Sequence, residues 1–231
     1  MIEHFVQFYE GDAYLVNEVA GFIRAGLQAG DAAIVIATKP HLHDFERHLT
    51  GDVAGAAAQR LSAEQYVPLD AADTLLELLV DGRPDERRFT DLIGPIFKRA
   101  TDYGSGRIRV FGEIAGLLSA NGKHEAAIRL EEFWNKLTTI YSFSLYCAYP
   151  MRAFPRETDG APFLTICDAH SRVGPAESFA RPANAREQCR TIAMLQQKAV
   201  ALETEVAHRK NIEKALQRHE KGLPDLPTLL P

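Results

Sequence analysis

The sequence predicts an α/β fold: a mostly parallel sheet of about five strands with helices on both faces, followed by one long C-terminal helix. Three observations predict it. Short β-rich runs alternate with runs of helical period through the first 150 residues, and such alternation requires crossover connections and hence parallel pairing. One of those runs, Ala32 to Ala37, is apolar at every position, as a strand buried on both faces must be. The stretch from Arg186 to His219 contains neither Gly nor Pro, which leaves a helix free to run its whole length.

Each element has its own signal. His4-Phe5-Val6-Gln7-Phe8-Tyr9 is β-rich and bounded by Glu10-Gly11-Asp12, so it reads as the first strand. Asp12 is expected to cap the next helix, where Leu15, Val16, Val19, Phe22, Ile23 and Leu27 recur at helical spacing before Gly30. Thr38-Lys39-Pro40 turns the chain after the second strand, and a helix follows from about His41 to Leu49. Gln65 to Leu69 is a weak strand, and Asp70 caps a helix over Ala71 to Leu79. Asp85 caps a helix from Glu86 to about Asp102, with Gly94-Pro95 as a kink point. Ile108 to Phe111 is a strand leading into Gly112-Glu113, and two helices follow, near Ile114–Ser119 and over Lys123–Leu137. Ser142 to Tyr149 is the last clear strand, ended by Pro150. Ala161 to His170 reads as a short helix.

These elements divide the chain into an α/β domain over 1–172, a linker rich in Pro, Ala and Ser over 173–185, a helix over 186–219 and a tail over 220–231. Ile192, Leu195, Ala199, Leu202 and Val206 repeat at 3-4-3-4 spacing, an a/d seam of about two heptads. The seam fails where Arg209 and Glu213 occupy positions that should be apolar. The helix is expected to act as a signalling stalk with weak coiled-coil character and to support a homodimer through 186–218. The rival reading packs it back on its own domain.

Composition limits the function. Of the 231 residues, 46% are hydrophobic and 25% charged, a globular balance. The formal net charge is -5, which disfavours a nucleic-acid partner. The N-terminal Met1-Ile2-Glu3-His4 is acidic and leads directly into a strand, so it does not read as a signal peptide. No apolar stretch reaches the roughly 18 residues that span a bilayer. Cys147, Cys167 and Cys189 are odd in number and have no metal or disulfide spacing. A cytoplasmic protein with no membrane partner and no cofactor is expected.

The chemical motifs are weak. Glu10-Gly11-Asp12-Ala13, after the first strand, is doubly acidic and has no lysine, where a phosphate loop presents amides and a cation. Gly104-Ser105-Gly106 precedes a strand rather than following one, so it is no dinucleotide fingerprint. His41, Asp44 and His48 share a helix face, but two turns are a long reach for one ion. The better reading is solvent-exposed histidines near a helix start, and no metal is expected. Cys147 and His4 lie on strands that could be neighbours, but no third orienting residue is evident, and a mid-strand cysteine is commonly a small buried hydrophobe. Glu131 and Glu132 read by default as surface acids on a helix packed through Phe133 or Trp134. Glu113 follows a strand and either faces the ligand crevice at the carboxyl ends of the strands or serves a helix N-terminus as an acid. Tyr9, Tyr149 and Arg152 belong to the same carboxyl-end set.

Four strings carry a resemblance. His4-Phe5-Val6-Gln7-Phe8-Tyr9-Glu10, Val110-Phe111-Gly112-Glu113, Glu125-Ala126-Ala127-Ile128-Arg129-Leu130-Glu131 and Phe143-Ser144-Leu145-Tyr146-Cys147-Ala148-Tyr149-Pro150 stand in this order. Over roughly residues 1–170 the set resembles the MEDS domain, the methanogen/methylotroph sensory domain of signalling proteins. The resemblance implies a RecA/KaiC-like fold without the nucleotide loop, a role in sensing small hydrocarbon derivatives, and fusion to histidine kinases or DNA-binding domains. Positions matching the family's recurring polar residues are His4, Glu113, Glu131 and Cys147. Residues 219–231 hold no phosphoacceptor box, ATP motif or helix-turn-helix, so the expectation is a stand-alone sensor or a shortened kinase relative.

The expected function is a non-catalytic sensory input module of signal transduction. It binds a small organic ligand through His4, Tyr9, Glu113, Glu131, Cys147, Tyr149 and Arg152, and relays through its C-terminal helix to a signalling protein such as a histidine kinase. The alternatives are an interaction adaptor that needs no ligand and a divergent nucleotide-binding enzyme.

Overall fold

In the computed structural model, residues 3–51, 65–103, 106–179 and 185–221 are described. They fall into two compact units, the described residues up to Phe179 and those from Ala185 onward. The first unit contains the strands β1 (Glu3–Tyr9), β2 (Ala32–Ala37), β3 (Tyr66–Asp70), β4 (Leu79–Val80), β5 (Arg83–Pro84), β6 (Ile108–Gly112), β7 (Phe143–Pro150) and β8 (Arg172–Gly174). Its helices are α1 (Asp12–Gln28), α2 (Lys39–Gly51), α3 (Ala71–Leu78), α4 (Glu86–Thr101), α5 (Ile114–Ala120), α6 (His124–Leu137) and α7 (Gly160–Asp168).

Six strands form one sheet in the order β3-β2-β6-β7-β1-β8, and every pair in it is parallel. The parallel α/β fold anticipated from the alternation is therefore the observed one. The sixth strand, β8, is new: it pairs Phe5 with Arg172 and Gln7 with Gly174. It lies where the sequence reads as the start of a linker. Three residues carry too little periodicity to announce a strand, and the pairing joins segments far apart in the chain. β4 and β5 make a separate antiparallel ribbon.

Alternation along the strands sorts the core into two layers. Phe5 and Tyr9 of β1 join Val35, Phe111 and Tyr146 beneath α1 and α2. Val6 and Phe8 join Ile34, Val110, Leu145, Cys147 and Tyr149 beneath α3 to α7. Trp134 anchors the second layer, with Phe89 edge-on at 4.9 Å between ring centroids. Complete burial of such side chains contributes about 1.5–3 kcal/mol each. Gly116 lets α5 lie on β7, because a Cβ there would strike the Ala148 carbonyl.

One local detail departs from the sequence reading. Asp12 does not cap α1; Gly11 holds the cap position, without a side-chain cap. Instead the Glu177 carboxylate accepts the backbone N–H of Glu10 at 2.9 Å and of Gly11 at 2.6 Å. A carboxylate from 166 positions away thus serves the helix start. As expected, α4 runs through Pro95 and ends at Thr101.

The second unit contains α8 (Ala185–Lys221), a 37-residue helix about 55 Å long at 1.5 Å per residue. Its apolar residues Ile192, Leu195, Leu202 and Val206 are exposed. Among the described residues, no helix is long and apolar enough to cross a membrane.

Candidate functional site

The seven residues singled out in the sequence fall into two clusters, one at the carboxyl edge of the sheet and one on the face under α6. The first cluster sits at the carboxyl ends of β2 and β6. These strands are neighbours, but α2 leaves toward one face and α5 toward the other. Such a divergence is where parallel α/β sheets receive ligands. Glu113, one residue past β6, fills it. One carboxylate oxygen accepts the backbone N–H of Thr38, just past β2. The other lies 2.6 Å from His41 Nδ1.

Glu113 is the N-cap residue of α5 but its side chain makes no cap hydrogen bond there; its two oxygens go to Thr38 and His41 instead. His41 is buried, against the reading of solvent-exposed histidines; His43 and His48 are the exposed ones. The first turn of α2 brings His41 under the β6 end, a placement that helix periodicity alone does not reveal. His41 Nε2 is 3.8 Å from Asp12. Burial works against the imidazolium, but the hydrogen bond and charge of Glu113, with Asp12 and Asp44, outweigh it and hold the His41 pKa above 6.5. Tyr9 completes the cluster. Burial pushes its pKa up, the Glu113 and Asp12 charges add to this, and the Arg152 charge opposes it.

The second cluster lies under α6. His4 at the start of β1 and Cys147 and Tyr149 of β7 point to one face, in register with their neighbours. They meet Glu131, which is completely buried and not a surface acid. Tyr149 donates its hydroxyl to Glu131 Oε1 at 2.5 Å. Glu131 Oε2 lies 3.2 Å from His4 Nε2 and 3.4 Å from Cys147 Sγ. His4 Nε2 and Cys147 Sγ are 3.3 Å apart.

Two members were not foreseen. Asn135, four residues after Glu131 and so on the same helix face, holds His4 Nδ1 at 2.8 Å. His170, just past α7, places its ring centroid 4.1 Å from that of His4. Ser171 secures this approach: its N–H and hydroxyl both donate to the His4 carbonyl at 2.7 Å. The spacing of Glu131 and Asn135 could have suggested the first. His170 depends on the β1–β8 pairing and had no local signal.

Electrostatics decide what this cluster can do. Burial opposes ionisation of Glu131, but the two imidazoles and the Tyr149 hydroxyl aimed at it hold its pKa below the usual value. Burial and the Glu131 charge push Cys147 and Tyr149 well up, and burial pulls His170 down. Cys147, His4 and Asn135 have the order of nucleophile, base and orienting group. The thiol is only 1% exposed, and the carboxylate beside it suppresses the thiolate that such chemistry needs. This arrangement suits a ligating cluster better than a nucleophile.

Two open grooves lie apart from both clusters. One, of about 480 Å³, runs between Phe22, Arg24 and Arg172; the other, of about 1210 Å³, follows His124, Arg129 and Thr165. Volume alone marks neither as functional, because neither gathers the buried polar groups described above.

The fold and these clusters define a parallel α/β domain without a phosphate loop, with its polar groups gathered at the strand ends and under α6. The chain belongs to the MEDS family, the MEthanogen/methylotroph, DcmR Sensory domain, which matches residues 3–160. That family is a sensory one, and sensing is the role that membership gives this chain. Neither the curated proteins nor the solved structures offer a match.

Proposed function

We propose that this chain is a non-catalytic input module that binds a small organic molecule at the carboxyl edge of the sheet. The ligand would lie against His41, Tyr9 and Arg152, above Glu113. The observation that carries this reading is the Glu113–His41 pair, a nearly buried acid and imidazole placed where β2 and β6 send their helices to opposite faces. Two buried titratable groups held together at such a place are a mark of a binding site.

The outlet of the signal would be α8. Glu177 ties the segment after β8 to the Glu10–Gly11 turn, and that segment continues in sequence toward α8. A ligand that preferred one arrangement of the turn would bias the chain leading to the helix, provided its affinity differs between the two states. The exposed Ile192, Leu195, Leu202 and Val206 would meet a second copy of the helix or a signalling partner such as a histidine kinase.

Thermal denaturation against short alcohols, amines, halogenated hydrocarbons and nucleotides tests the proposal, since a ligand of the native state raises Tm by mass action. The expected result is a dose-dependent rise with one class of organic molecule, reduced in His41→Gln. A rise with ATP would turn the reading toward nucleotide binding. A folded protein that responds to none of these compounds would turn it toward a ligand-free adaptor.

A further inference from the structure

We propose that His4, Glu131, Cys147 and His170 form a binding site for one divalent transition-metal ion of the zinc class. The case begins with hydrogen-bond bookkeeping. Asn135 donates its amide N–H to the Ala169 carbonyl at 3.1 Å, so the oxygen of that amide faces His4 and His4 Nδ1 must be the donor. His170 Nδ1 lies 2.6 Å from the Ile166 carbonyl, which can only accept, so it too is a donor. With both rings neutral, the remaining lone pair of each is on Nε2 and points inward. Glu131 Oε2 faces the same point, its twin oxygen being held by Tyr149.

Three acceptors therefore converge, and the Cys147 thiol supplies a single proton between them. His170 Nε2 has no hydrogen-bond partner, although its side chain is fully buried. It is 3.6 Å from Glu131 Oε2, too long for a hydrogen bond. A cation at the centre would satisfy all of them.

The distances suit one. A tetrahedral ion with bonds of about 2.0–2.3 Å to nitrogen, oxygen and sulfur separates its ligand atoms by about 3.3–3.6 Å. Four of the six separations are 3.2, 3.3, 3.4 and 3.6 Å, and all four ligand atoms lie within 4.8 Å of one another. Two imidazoles, a thiolate and a carboxylate favour a borderline-soft ion over Mg²⁺ or Ca²⁺. The outer bonds from Asn135, the Ile166 carbonyl and Tyr149 orient three of the four ligands, as outer partners do in protein metal sites. On binding, the thiol proton leaves to solvent and the metal takes the thiolate. The ion would join the end of α7 to β1, β7 and α6.

The test uses the full chain, purified without chelator and assayed for metal by mass spectrometry, then stripped and titrated with Zn²⁺ and Co²⁺. The expected result is one ion per chain, a lower Tm after stripping, and recovery on adding Zn²⁺. The Co²⁺ form should show a thiolate-to-metal charge-transfer band with tetrahedral visible bands. That band should vanish in Cys147→Ala, and Co²⁺ affinity should fall at least tenfold in His170→Ala. Where a variant does not fold, stripping and reloading of the wild type decides. Wild type that carries no metal and takes up neither ion would overturn the proposal. So would Co²⁺ binding without a thiolate band, which would place the ion elsewhere.

Discussion

The Glu113 carboxylate, just past β6, accepts the backbone N–H of Thr38, just past β2, across 75 positions of sequence. With its other oxygen it holds His41 on the first turn of α2. One side chain thus ties two strand ends and a helix at the point where the sheet opens. The three groups form one preset arrangement, so displacing any member disturbs the other two.

The cost of breaking this tie should scale with what is left unpaired. Glu113→Gln keeps an oxygen for Thr38 but exchanges a charged acceptor for a neutral one, and should cost about 1 kcal/mol. Glu113→Ala leaves the Thr38 N–H and the His41 ring without their acceptor, and should cost about 1.5–3 kcal/mol. Urea denaturation of the two variants measures both. Equal stability of Glu113→Ala and wild type would mean that the tie contributes nothing.

The same pair sets a pH dependence. The His41 pKa is raised in the folded chain by Glu113, Asp12 and Asp44, against burial. A raised pKa stabilises the fold fully below the unfolded value of about 6.5, and that contribution is lost as pH rises through the folded value. The stability gap between wild type and His41→Gln should therefore be widest in mild acid and narrow toward alkaline pH. A gap that widens with pH would contradict this sign. In Glu113→Gln the His41 titration, followed by NMR, should move down.

Glu177 gives a local prediction. Its carboxylate takes two backbone N–H groups at the β1–α1 turn, the place that an anion would occupy at a helix start. Glu177→Ala removes a cap and should cost about 0.5–2 kcal/mol. Hydrogen exchange should accelerate at the amides of Glu10 and Gly11 and leave the centre of β2 unchanged. Unaltered exchange at both amides would show that water replaces the carboxylate without loss.

What the sequence made legible follows from the range of the interactions involved. Helices with local signals are found close to where they were expected: Asp70 and Asp85 accept the N–H of Asp73 and Arg88 as caps. The apolar run of β2 is buried throughout. Glu113 could be placed because the end of a parallel strand is a position that topology defines. Glu131 could not be placed by pattern. Its neighbours Phe133 and Trp134 identify a packed helix, but an acid beside them looks the same whether it faces water or two imidazoles. His170 needed the β1–β8 pairing, which brings it to His4 from the far end of the domain. Asp12 failed as a cap because Glu177, remote in sequence, holds the turn instead.

The exposed seam of α8 bears on the proposed relay. A 37-residue helix whose Ile192, Leu195, Leu202 and Val206 face water loses little by association and gains roughly 25 cal/mol for each Å² of apolar surface covered. Two heptads are few for a lone coiled coil, so dimerisation should be weak and concentration-dependent. Sedimentation velocity over a range of concentrations should show a monomer–dimer exchange. The double variant Leu195→Glu with Leu202→Glu should shift it to monomer without altering the unfolding of the α/β domain, because like charges at paired seam positions repel. If the variant sediments as the wild type does, these residues are not the contact. The helix then presents its seam to a different protein, and the homodimer reading fails.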